Sequence, residues 1–359
     1  MSSELLRTPL AELHRSIGAK MVPFAGWEMP VQYTGVIAEV KAVRSEAGIF
    51  DVSHMGRMVV RGPDTLAYLE SIVPSDLSRL LDGYGCYTLL PNETGGVVDD
   101  IILYRRSKTE FWIVFNAGCL DKDRAWFKDH MAGFDVALDD ITDRTGLLAV
   151  QGPKAMSFLG DWSSDHGRFS LGDTQFAGID ITVARTGYTG EDGFEAFVSV
   201  ADLHALWTAF TEAGAIPCGL GARDALRLEA AYPLYGHEMD ASVNPFSARL
   251  GWVIHKKKEA EYVGKPAVEL GRGNASLPTL VGLVMDGRHI ARDGYAIQDA
   301  DGTLIGHVTS GTYSPILQQG VALARLPRSF TAIGTVVFVV IRDQALPAIV
   351  SPTPFVPTI

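Results

Sequence analysis

A chain of 359 residues, 47% hydrophobic and 20% charged, is long enough for one to three domains with ordinary cores. Its formal net charge of −11 argues against a general nucleic-acid binder, and no apolar run approaches the about 18 residues that cross a bilayer. Three cysteines, Cys86, Cys119 and Cys218, lie far apart without C-x-x-C spacing, so neither a disulfide framework nor a zinc site is expected and a reducing compartment fits.

Residues 9–19 read as an amphipathic helix with Leu10, Leu13 and Ile17 on one face. Residues 21–30 hold too much Gly and Pro for a helix and read as a short strand running into a loop. A second helix is expected over 36–46, before Gly48, and a strand over 57–61. The order strand, Gly-Pro turn, helix then occurs at 59–72 and returns at 148–159. In the first half, 87–90 precedes the turn at Gly95-Gly96, the run to Tyr104, a strand at 111–115 and a helix at 120–131. In the second half, 179–184 precedes a glycine-rich stretch, a strand at 194–200 and a helix at 201–213. The spacing predicts two similar antiparallel-sheet α+β units of ferredoxin-like type, at about 51–138 and 139–240, within a region spanning 1–270. In this alignment Asp100 and Glu195 both fall just past a glycine turn, which predicts that they face a shared cavity.

The glycine-rich stretch, Arg185-Thr-Gly-Tyr-Thr-Gly-Glu-Asp-Gly-Phe-Glu195, admits two readings. It is either a turn with a solvated acidic tip or a loop whose backbone comes close to a ligand. Glu191 and Asp192 read as turn residues. A helix opening at Gly221 carries Arg223 and Arg227 on one face. Buried arginines need anionic partners, either structural, such as Asp224 or Glu229, or a ligand. The basic run 255–258 reads as a solvated face. Residues 271–276 look like a linker. Beyond them, short β-type runs at 277–283, 294–298, 303–308, 321–326 and 336–341 predict a separate barrel-like module over 277–359.

There is no G-x-S-x-G elbow, P-loop, H-E-x-x-H or dinucleotide fingerprint. The scattered carboxylates Asp99, Asp100, Glu191 and Glu195, with Tyr87, Tyr104 and Tyr188, suit acid/base chemistry on a polar aromatic ligand.

Several motifs occur in a familiar order. They are Lys20-Met-Val-Pro-Phe-Ala-Gly-Trp-Glu-Met-Pro30, Phe50-Asp-Val-Ser-His-Met-Gly56, Gly95-Gly-Val-Val-Asp-Asp100, the 185–195 stretch, Gly219-Leu-Gly-Ala-Arg-Asp224 and Leu234-Tyr-Gly-His-Glu-Met-Asp240. With Asn244-Pro245 and Val308-Thr-Ser-Gly311 they span nearly the whole chain. In them the chain resembles the T proteins of the glycine cleavage system, which are tetrahydrofolate-dependent aminomethyltransferases. The resemblance implies a lipoylated H protein as partner and tetrahydrofolate as co-substrate. It implies transfer of a one-carbon unit to give methylenetetrahydrofolate and ammonia, with no metal, membrane or nucleic acid involved.

By the same resemblance Asp100 is the catalytic carboxylate, Glu195 accepts from the pterin N–H groups, and Arg227 anchors the ligand. Tyr87, Tyr104, Tyr188 and Tyr235 would line the folate, with Asn116 as a hydrogen-bonding residue and Met55 and Trp252 as apolar walls. Asp99 would be a solvated or turn-capping carboxylate, and His54 receives no role. Family members carry a tail arginine beyond a Pro-Phe-Val-Pro segment. Here no arginine follows Arg342, so either the tail is truncated or another cation takes the role, with Arg292 one candidate for a contact at the lipoyl entrance or folate tail. Folate-dependent demethylases and non-catalytic folate binders share the scaffold and form the alternative. An N-terminus without a signal-like apolar core points to a bacterial cytoplasm rather than a mitochondrial matrix.

Overall fold

In the computed structural model, which describes residues 4–358, two antiparallel-type sheets and a closed barrel surround one cavity. The first sheet runs in the order Tyr84–Pro91, Val97–Ser107, Glu110–Phe115, Gly56–Arg61, Ala137–Asp140. The second runs Leu171–Phe176, Ile179–Ala184, Gly193–Ser199, Thr145–Gln151, Gly48–Asp51, Ile216–Pro217. Every pairing is antiparallel except the last, Ile216–Pro217 on Gly48–Asp51. The α+β class with a C-terminal barrel is therefore as the sequence predicts.

The strand alternation decides what each side chain meets. On Val97–Ser107, Ile101 and Leu103 join Tyr68 and Leu69 of the helix Thr65–Ile72 and Phe127 of the helix Leu120–Asp129 in one core. Tyr104, with Val114 of the next strand, points the other way, into a core shared with Leu147, Ala149 and Phe197 of the second sheet. On the second sheet Leu148, Val150, Phe194 and Ala196 pack on Leu206, Trp207 and Phe210 of the helix Leu203–Glu212. The sheets thus meet face to face and carry helices on their outer sides. Both faces are covered, which is why these strands are apolar at nearly every position.

The matched strand orders correct one alignment. The glycine turn before Asp100 closes the hairpin between the first two strands of its sheet, whereas the 185–195 stretch joins the second and third strands of the other. Asp100 and Glu195 are not topological equivalents. The slip arose because Leu171–Phe176, which is Leu-Gly-Asp-Thr-Gln-Phe and largely solvent-facing, has a weak strand pattern.

Residues 20–32 form a hairpin, Lys20–Phe24 and Trp27–Gln32, rather than a strand and loop. Ala25 and Gly26 supply the positive φ angles of its turn. The barrel closes through Thr279–Met285, Gln319–Leu326, Leu304–Ser314, Ala296–Gln298, Val336–Ile341 and Gln344–Ser351. The last strand was not anticipated, because Pro347 depresses its strand signal.

The helix Leu220–Glu229 ties the parts together. Its Leu228 packs with Leu280, Val321, Leu323 and Phe355, and buried Glu229 accepts from Ser314 Oγ at 2.5 Å. The basic run 255–258 is not wholly solvated. Lys258 is buried, and its Nζ donates to the carbonyls of Glu70, Val73 and Ser75 at 2.7–2.8 Å while pairing with the Glu70 carboxylate. That ammonium pins the 240–262 segment to the first sheet unit.

Candidate active site

A cavity of about 1230 Å³ opens among the two sheets, the Leu220–Glu229 helix, the 230–252 segment and the barrel. Asp100 and Glu195 both line it, although their strands are not equivalent. Met55, Tyr87, Asn116, Tyr188, Arg227, Tyr235, Trp252 and Arg292 line it as well.

Asp100 is held on one side by Asn116, whose Nδ2 reaches Asp100 Oδ1 at 2.9 Å and the Asp100 carbonyl at 3.1 Å. The same amide reaches Asp99 Oδ1 at 2.9 Å, and the Asn116 backbone N–H donates to Asp99 Oδ2 at 3.0 Å. Asn116 therefore clamps both carboxylates from the end of the neighbouring strand. Burial, then the Asp99 charge, raises the Asp100 pKa, against the opposing pull of Tyr87 and Asn116. The Tyr87 hydroxyl lies beside Asp100 without reaching good hydrogen-bond geometry, and its ring stacks on Trp252 with centroids 5.7 Å apart.

Asp99 departs from expectation. It is fully buried rather than solvated. Alternation does turn it to the opposite face from Asp100, but that face is covered by the helix Leu120–Asp129.

On the far wall, Glu195 is 5% exposed and accepts from Thr186 Oγ1 at 2.5 Å. Thr186 in turn lies 2.9 Å from the Tyr104 hydroxyl. Tyr104 was expected to line the ligand space. It is fully buried between the sheets and acts behind Thr186 instead.

The two arginines, both open to a structural or a ligand role from sequence, differ in their surroundings. Arg227 is 2% exposed and already engaged. Its Nε donates to Asp224 at 2.9 Å, one terminal nitrogen to Glu238 at 3.1 Å and Tyr232 O at 3.2 Å, and the other to Ser310 Oγ of the barrel at 2.8 Å. It is a structural bridge that touches the cavity. The Arg223 guanidinium has no hydrogen-bond partner among the described residues. Its guanidinium sits 4.9 Å from the Tyr188 ring centre, and Glu195 attracts it while burial lowers its pKa.

Tyr188 donates to the carbonyl of Pro233 and stacks near Tyr232, with ring centres 5.9 Å apart. Tyr235 lines the cavity with its hydroxyl held by Lys122 Nζ at 2.8 Å. Trp252, expected as an apolar wall, is 70% exposed and forms part of the rim. Arg292 is exposed and also lies on the cavity lining. His54 lines the cavity with Nδ1 buried and unpartnered. Burial pushes its pKa down to about 3, so its imidazole is neutral.

The 185–195 stretch is built by packing and ion pairs. A Cβ on Gly187 would meet the Gln151 side chain at 1.8 Å, and one on Gly193 the Val150 carbonyl at 2.3 Å. Glu191 pairs with Arg44 at 2.8 Å, and Asp192 with Arg185 at 2.6 Å. Gly187 and Gly193 make room for Gln151 and Val150 while lining the cavity, and the acidic tip is tied down rather than solvated.

Two sheets and a barrel here enclose a long cavity with carboxylates on facing walls and a free guanidinium, the setting of an enzyme that takes a polar aromatic ligand. The model described as GCVT N-terminal domain matches residues 10–258, and that described as glycine cleavage T-protein C-terminal barrel domain matches 279–357. Aminomethyltransferases of a Synechococcus species and of Rubrobacter xylanophilus are 45% and 47% identical to the chain. Each alignment covers 98% of this chain, with 99% and 94% of the relative. The crystal structure of glycine cleavage system aminomethyltransferase T from Bartonella henselae superposes with a TM-score of 0.93 at 35% identity over 99% of both chains. The chain belongs to the glycine cleavage T-protein family of aminomethyltransferases.

Proposed function

We infer that this aminomethyltransferase moves the one-carbon unit from the aminomethyl-dihydrolipoyl arm of an H protein to tetrahydrofolate, yielding 5,10-methylenetetrahydrofolate and ammonia. The observation that carries the reading is one cavity with Asp100 on one wall and Glu195 with the unpaired Arg223 on the other, in a chain of this family. Bound tetrahydrofolate would supply the nucleophilic pterin nitrogen. The residues fit such a ligand. Glu195 presents a carboxylate to amino and ring N–H donors, and Arg223 offers planar donors to a carbonyl or carboxylate. Tyr188 and Tyr87 offer aromatic faces, and the cavity volume accommodates a folate.

Asp100 is the reacting-side carboxylate. Clamped by Asn116, it stabilises positive charge that develops as ammonia leaves, and it does so without reorganising. Arg227 acts indirectly, by fixing the helix that carries Arg223 against the barrel. The lipoyl arm would enter past the exposed rim of Trp252 and Arg292. The relatives named above are bacterial, which supports a cytoplasmic site of action. Among the described residues no helix is long and apolar enough to cross a membrane.

The test is ammonia release and methylenetetrahydrofolate formation from aminomethyl-lipoyl H protein, for wild type and Asp100→Asn. Tetrahydrofolate binding without transfer by the wild type would overturn the enzymatic reading. Full rate in Asp100→Asn would overturn the role of Asp100 alone.

A further inference from the structure

Behind Asp100 lies a second group of acids with no part in the reaction as described. Asp99 on the strand Val97–Ser107, Cys119, and Asp123 on the helix Leu120–Asp129 are all buried, with ligand-type atoms within 4.8 Å of one another. Asp123 is fully buried, and neither of its oxygens receives a hydrogen bond from any N–H or O–H among the described residues. The Asp99 carboxylate and the Cys119 thiol share this pocket with it, within the same 4.8 Å. An ionised carboxylate in that position would be an uncompensated buried charge facing a second one.

The groups around it do not relieve this. Lys122, the cation on the same helix, spends its ammonium on the Val98 carbonyl and the Tyr235 hydroxyl. Cys119 is held in its neutral thiol form by burial and the two aspartates. Asp100 on the neighbouring strand position adds a further like charge. Asp99, by contrast, accepts from Asn116 at 3.0 and 2.9 Å, so the negative charge is better placed there.

We propose that Asp123 is a permanently protonated carboxylic acid that donates its proton to Asp99, and that this acid–carboxylate pair positions Asn116 and sets the proton affinity of Asp100. Asp123 and Asp99 are positioning residues, acting on the reaction only through Asn116 and Asp100. The groups lie in sequence: Asp123 within 4.8 Å of Asp99, Asp99 bonded to Asn116, and Asn116 bonded to Asp100. The pair retains one negative charge. That charge disfavours ionisation of Asp100 and delays it to higher pH than an ordinary carboxylate. The role rests on the assignment of Asp100 above, whereas the protonation of the pair does not.

Two measurements separate these. Infrared spectra of Asp100→Asn protein at neutral pH should show a carboxylic-acid C=O band that is lost in the Asp100→Asn, Asp123→Asn double variant. No band in Asp100→Asn protein overturns the proposal, whether or not any variant transfers a one-carbon unit. The second measurement is the acid limb of kcat/KM against pH. Asp123→Asn replaces one neutral donor with another, so the limb stays in place. Asp99→Asn removes the charge, so the limb moves down by about one pH unit. A downward move in Asp123→Asn would mean that Asp123 is ionised in the wild type. One equivalent of tightly held divalent metal, lost in Asp123→Asn, would assign the three side chains to a cation instead. Either result refutes the proton-sharing pair. Absence of transfer by the wild type, with the band present, would sink the functional reading and leave the pair intact.

Discussion

Arg223 and Arg227 lie four residues apart on one helix, yet substitution of each by methionine should give opposite results. In Arg223→Met no hydrogen bond of the free protein is lost, because the guanidinium has none. Only the Tyr188 contact and the attraction to Glu195 are lost, so the thermal midpoint should change little. A net charge-assisted hydrogen bond to the ligand is worth about 1.5–3 kcal/mol. At about 1.4 kcal/mol per tenfold, tetrahydrofolate affinity should fall roughly 10- to 100-fold. Arg227→Met breaks contacts to Asp224, Glu238, Tyr232 and Ser310 and leaves fully buried Glu238 without its cation. Breaking a buried pair in this way costs about 3–5 kcal/mol. Glu238 keeps donors from Leu234 N and Thr309 Oγ1, which places the loss toward the lower end. Thermal melts of the free proteins and calorimetric titration with tetrahydrofolate read both effects. An Arg223→Met protein that binds like wild type, or an Arg227→Met protein that melts like wild type, would refute the division of roles drawn here.

Other substitutions test the site from different sides. Because the folded protein raises the Asp100 pKa, its protonated form is favoured by folding, and that contribution is lost as pH rises through the elevated value. Asp100→Asn should therefore melt like wild type in acid and above it at neutral pH, while losing activity. The wild-type kcat/KM should fall, as pH is lowered, at a pH above the ordinary carboxylate range. Thr186→Val leaves the Tyr104 hydroxyl buried without its partner and frees Glu195, at a cost of about 1–3 kcal/mol in denaturant titrations and with a raised KM for tetrahydrofolate. Gly187→Ala drives a methyl group into the fully buried Gln151 amide, which holds the Thr186 carbonyl at 3.0 Å, and should cost about 1–3 kcal/mol by the same assay.

How far the sequence was legible follows from the range of the interactions involved. Motif order, strand alternation and the glycine turns are local, and they place Asp100 and Glu195 correctly on the inner layer. Alternation also turns Asp99 away from Asp100, but it cannot say what covers the outer face. That cover is Asp123, on a helix whose sequence, Leu-Asp-Lys-Asp-Arg-Ala-Trp-Phe-Lys-Asp, reads as a solvated one. The division between Arg223 and Arg227 is less local still. Helical spacing puts both on one face, and the only local difference is Asp224, which at i, i+3 pairs with Arg227 from a half-exposed position. What separates them is Glu238, 11 residues on, and Ser310, 83 residues on, which converge on Arg227 once the barrel docks. The free guanidinium is thus a by-product of where the barrel sits. Ser310→Ala removes one partner of Arg227 and leaves those to Asp224, Glu238 and Tyr232, so thermal melts should show a loss of about 1 kcal/mol with tetrahydrofolate affinity unchanged. The binding site is therefore specified by the long-range contact that uses up one arginine, and not by the helix that presents two.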